Sequence, residues 1–114
     1  MAFRDGAMIQ SWDRRMLTRM QAAQAQTQRH LGVIERQIAA RAARLTVTDH
    51  AKRRQFGRSA SRWTNADERL FQQHVAELTL ARCGEIDALL CKLDRQERAM
   101  AEFQTLNDGS SAGP

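Results

Sequence analysis

An all-α fold, a long two-helix antiparallel coiled-coil hairpin, is what this sequence predicts, and three observations carry that reading. Ala, Glu, Lys, Leu and Arg supply 52 of the 114 residues, the composition of long helices and coiled coils. Pro occurs once, as the final residue, so no earlier position forbids helix. Tyr is absent and β-branched residues are few, which argues against a sheet. Leu, Ile, Val and Phe together make only 21 residues, and the 42% hydrophobic content is reached through 18 alanines. So thin a supply of large apolar side chains speaks against a compact α/β enzyme domain and for an elongated helical interaction protein.

The first predicted helix covers residues 8–46. Met16, Met20, Ala23, Thr27, Leu31, Ile34, Ile38, Ala42 and Leu45 recur at a mean spacing of 3.6 residues over 29 positions, which draws one apolar stripe along a straight helix. Arg14, Arg15, Gln21, Gln28, Arg29, Arg36 and Arg44 occupy the opposite face. The stripe is narrow and rich in Ala, enough to bury one seam. Trp12, one turn before Met16, is placed to extend it.

Residues 47–63 break the pattern and read as a basic connection. Thr46-Val47-Thr48 is β-branched, Asp49 is a candidate cap for a short turn from His50 to Phe56, and Gly57, Ser59 and Ser61 interrupt the chain after that turn. Lys52, Arg53, Arg54, Arg58 and Arg62 concentrate positive charge here.

The second helix is predicted over 64–106. Thr64 or Asn65 is its N-cap, with Asp67 or Glu68 three residues on at capping-box spacing. Its stripe runs through Phe71, Val75, Leu78, Ile86, Leu89, Leu93, Met100 and Phe103, with weak positions near Arg82 and Gln96 and a Gly84 that costs ~1 kcal/mol against Ala. Asn107-Asp108-Gly109 is read as its end, leaving residues 108–114 as a disordered tail. Two helices of about 40 residues are not stable as lone hydrophilic rods. Pairing through the connection makes residues 1–107 a single helical hairpin, with Ile34, Ile38, Leu89 and Leu93 expected among the most buried residues.

Charge supports that pairing. Residues 1–63 carry 13 basic and 4 acidic side chains, and residues 64–114 carry 5 basic and 9 acidic. Oppositely charged helices attract and select an antiparallel register. Nucleic acid is the other candidate partner for the basic half, disfavoured because the acidic half repels phosphate.

Cys83 and Cys91 lie roughly 12 Å apart along a helix, too far for a disulfide, and read as small packing residues in a reducing, cytoplasmic setting. Residues 1–6 show no apolar signal region, and no apolar run approaches the ~20 residues of a membrane span. His30, His50 and His74 lack a second ligand at i+3 or i+4, so no metal site is expected and the histidines read as solvated or seam residues. Gly32, Gly57 and Gly84 are isolated, not a phosphate loop. Asp94, Glu97 and Arg98 sit at ordinary helix-surface spacing. A rod of two helices offers almost no cleft for a cysteine nucleophile. The expectation is a non-enzyme without cofactor.

What exceeds a plain helical rod is the region between the two helices. Phe56, Trp63 and Phe71 fall where a hairpin has least core, beside Arg53, Arg54 and Arg62. Aromatics flanked by Arg are typical interface anchors. A small core closing the end of the hairpin, within a solvated basic turn, is the competing reading of the same residues.

The segment Arg62-Trp63-Thr64-Asn65-Ala66-Asp67-Glu68-Arg69-Leu70-Phe71-Gln72-Gln73 resembles the middle of the FliJ/YscO-type stalk proteins of bacterial type III secretion and flagellar export. The rest of the chain is similar in kind, a small, Arg-, Gln- and Glu-rich sequence, and is short for that family. The resemblance implies a coiled-coil stalk or adaptor whose termini enter the export ATPase and whose tip faces the export gate, with substrate chaperones as further partners. It implies a place at the cytoplasmic face of a membrane-bound apparatus, without insertion into the membrane. Trp63 and Phe71, with Phe56 beside them, then lie in the tip-proximal part used for gate contact. A basic nucleic-acid-binding protein and a helical secretion chaperone are the alternatives.

Overall fold

A computed structural model describes residues 2–54 and 62–111, with side chains over 11–53 and 62–107. The described residues are all-α, without strands, and hold three helices: α1 (Ala2–Arg54), α2 (Asn65–Ala81) and α3 (Cys83–Ser111). The chain divides into two compact units, Leu31–Asp87 and the pair Met1–His30 with Ala88–Pro114.

In the unit Leu31–Asp87 the predicted stripe of α1 is the buried one. Ile34, Ile38 and Ala42 are buried, at the i, i+4 spacing that stacks side chains on one helix face. Thr46 continues the row, fully buried, its hydroxyl donating to the Ala42 carbonyl at 2.8 Å. A Thr in a helix seam needs that bond, because an unpaired buried hydroxyl is costly. From α2 and the start of α3, Phe71, Val75, Leu78, Arg82 and Ile86 present the half-buried face. His50 pairs with Asp67, Asp49 with His74 and Gln37 with Arg82. The order of these contacts makes the two helical segments of this unit antiparallel.

Three local expectations are corrected here. Residues 47–54 are helical, not part of the connection, and Asp49 caps nothing: it lies inside α1. Helix propensity at Thr46, Val47 and Thr48 costs only tenths of a kcal/mol each. Thr46 and Thr48 both bond back to carbonyls four residues earlier, and Asp49 and His50 gain partners on α2. Tertiary contact outweighs propensity.

The second helix is two, because Arg82 leaves helical geometry at φ −107° and ψ 15°. Arginine at a seam position carries its guanidinium outward, donating to Gln37 Oε1 at 2.9 Å and to Glu85 Oε2 at 3.0 and 3.1 Å. The hydrogen-bond ladder nevertheless spans the break: Arg82 N–H reaches the Leu78 and Thr79 carbonyls, and Ile86 N–H reaches the Arg82 carbonyl at 3.0 Å.

In the unit of Met1–His30 with Ala88–Pro114, Thr27 and Leu89 are the buried side chains among the described residues. Met16, Met20, Leu93, Met100 and Phe103 are half-buried, so Leu93 falls short of its expected burial. Gln24, not Ala23, takes the inward position, its amide donating to Glu97 Oε1 at 3.5 Å. Trp12 is exposed and does not extend the seam. Helix α3 also outruns its predicted end, continuing to Ser111. Asn107 keeps the inward spacing one turn after Phe103 and is half-buried, so the seam does not stop where Gly109 suggested a cap. Of the predicted tail, residues 112–114 lie outside the described residues.

Candidate interaction surface where α1 ends and α2 begins

Helix α2 starts as its sequence dictates. Thr64 is the N-cap and Asp67 the third helical residue, and both halves of the capping box are present. Thr64 Oγ1 accepts from Asp67 N–H at 3.2 Å, while Asp67 Oδ2 accepts from Thr64 N–H at 2.8 Å and from its hydroxyl at 3.0 Å. Two helix-terminal donors are thereby satisfied, and a carboxylate sits at the positive end of the helix dipole.

Asp67 has a second task. Its side chain is 1% exposed, and it also accepts from His50 Nδ1 on α1 at 3.0–3.1 Å. An ionised carboxylate is acceptor-only, so this ring nitrogen carries the proton. One turn along, His74 on α2 bonds Asp49 on α1 at 3.1 Å. Adjacent residues of α1, one acid and one base, thus meet a base and an acid of α2. The Thr64 backbone N–H foremost, and then His50, hold the Asp67 carboxyl below its ordinary value against the opposing effect of burial.

Trp63 projects from the residue before the cap. Its indole N–H donates to Glu68 Oε2 at 3.0 Å, and its ring meets Phe71 edge-on at a centroid distance of 6.3 Å and 70°, within the range where aromatic pairs attract. Glu68 also accepts from Gln72 at 3.1 Å. That amide first, and the indole second, lower the Glu68 carboxyl below its ordinary value. The indole is held by two contacts and is still 45% exposed.

The sequence nominated Arg53, Arg54, Phe56, Arg62, Trp63 and Phe71. Arg53, Arg62 and Trp63 are exposed, Phe71 is half-buried beneath the indole, and Trp63 and Phe71 are brought into contact. Phe56 and the Arg54 side chain lie outside the described residues. The His–Asp pairs went unforeseen, because they depend on which residues of two helices face each other; the i, i+1 acid–base doublet Asp49-His50 was the one signal available. Cys83 and Cys91 are free and exposed rather than packed. Among the described residues, no group of three or more His, Cys, Asp or Glu is arranged to hold a metal ion, and no helix is long and apolar enough to cross a membrane. Searches against protein families, curated proteins and solved structures found no match to this chain.

Proposed function

We propose that this chain is a non-enzymatic helical interaction protein that docks a partner through Trp63 and the arginines around it. One observation carries the reading. A large aromatic with its polar atom satisfied and its ring braced against Phe71 remains 45% exposed beside exposed Arg53 and Arg62. Such a side chain has already given up much of its rotamer freedom, so binding through it costs little further ordering.

The finer proposal is a two-helix coiled-coil stalk or adaptor of a type III secretion apparatus, linking an export ATPase to an export gate at the cytoplasmic face of the membrane. It rests on the likeness of residues 62–73 to the FliJ/YscO-type proteins. The antiparallel pairing of α1 with α2 in the unit Leu31–Asp87 is compatible with that architecture.

The test is Trp63→Ala in the full chain, read by circular dichroism and by pull-down with an export ATPase and a gate component. Binding is expected to weaken by at least ~30-fold, corresponding to ~2 kcal/mol for an anchor, with helicity retained. Loss of helicity would make Trp63 a structural residue. Retained helicity with unchanged binding would end the proposal.

A further inference from the structure

The unit Leu31–Asp87 leaves one side of its seam open. A groove of about 280 Å³ runs between α1 and the α2–α3 segment. Buried Ile34 and Ile38 form its floor, half-buried Val75 and Ile86 one wall, and exposed Ala39 and Thr79 line its rim. Small residues at the rim allow close approach of another backbone.

The charges flanking the groove differ in sign. Residues 31–54 carry six basic and two acidic side chains, and residues 65–87 carry two basic and five acidic. A uniformly acidic or basic partner matches one bank and is repelled by the other. We infer that a second copy of this chain occupies the groove, related by a two-fold axis parallel to the helices. That axis lays the basic bank of each copy over the acidic bank of the other, so complementarity follows from symmetry alone. The face is about 36 Å long and ~20 Å wide from helix rise and diameter. That is roughly 700 Å² a side, close to the ~800 Å² per partner of a standard interface.

Sedimentation equilibrium of the full chain tests this. The expected mass is twice 13.0 kDa at high protein concentration, falling on dilution and falling further with added salt. Ala39→Glu and Thr79→Glu each place a carboxylate in the groove from an exposed position and are expected to sediment as single chains with unchanged helical circular dichroism. A single-chain mass at every concentration, a mass above two chains, or a dimer surviving both substitutions in folded protein would overturn the inference. Should a variant lose helicity, thiol labelling of the unaltered chain decides. Cys83 follows groove-lining Thr79 by four residues and precedes Ile86 by three. Its reaction is expected to slow several-fold as concentration rises while that of Cys91 does not. Equal behaviour of the two thiols would overturn the inference.

Discussion

The two units are built from the same kind of helix and are held together differently. In Leu31–Asp87 an apolar row of Ile34, Ile38 and Ala42 is buried, and its end carries two His–Asp pairs and a capping box. In Met1–His30 with Ala88–Pro114, the buried positions among the described residues are a Thr and a Leu, and the row includes Gln24 and Gln96. The Gln96 Oε1 is buried with no hydrogen-bond partner. An apolar stripe of correct period is therefore not enough to define a unit. Burial depth and satisfied polar groups separate a specified pairing from a permissive one.

The largest expected contrast is in core truncation. Ile34→Ala, at a position 1% exposed, should cost about 3–4 kcal/mol, whereas Leu89→Ala, at 9%, should cost about 2. Urea denaturation of each variant measures this. Native-state hydrogen exchange on the unaltered chain should show amides of residues 34–46 slower than those of residues 11–27. Equal costs and uniform protection would erase the distinction between the units.

A smaller effect, of opposite sign, is expected at Gln96. Replacing it with Leu removes an unsatisfied buried oxygen and adds apolar volume to the seam, a gain of about 1 kcal/mol. The change should narrow the difference between the units in the same denaturation experiment. A loss of stability would show that the amide is needed where it stands.

The smallest effect is in the acid limb of the stability profile. Asp67 and Glu68 have carboxyl groups depressed in the folded state. Their contribution is complete above the ordinary carboxylate range of ~4 and is lost as pH falls through the lower folded values, because the unfolded chain then binds more protons. Asp67→Asn should flatten that decline, seen by thermal melts from pH 6 to pH 3. An unchanged slope would place the acid sensitivity elsewhere.

Much of the helical frame is legible in the sequence, since period, the lack of internal Pro and the Thr64–Asp67 spacing are local signals. Ile34, Ile38 and Leu89 can be recognised as buried because each sits on a continuous stripe. The end of α1 and the break at Arg82 are not legible. At Thr46 and His50, tertiary partners outweigh weak propensities that a sequence reader sees first. At Arg82 the backbone yields so that one charged side chain can reach Gln37 and Glu85, which depends on a neighbouring helix. The aromatic pair illustrates both sides: composition nominates Trp63 and Phe71, but their edge-on contact and the Glu68 tether require three-dimensional placement.

Asp67 serves at once as the cap of α2 and as the partner of His50, only 17 residues away along the chain. Closing so short a loop is cheap in chain entropy and takes on the order of 100 ns. The contact that completes the start of one helix therefore also selects how the next helix lies against the first. A slipped alignment would forfeit the cap bond, the His50 bond or both, so register is checked in the first moments of folding, before the long apolar rows have met.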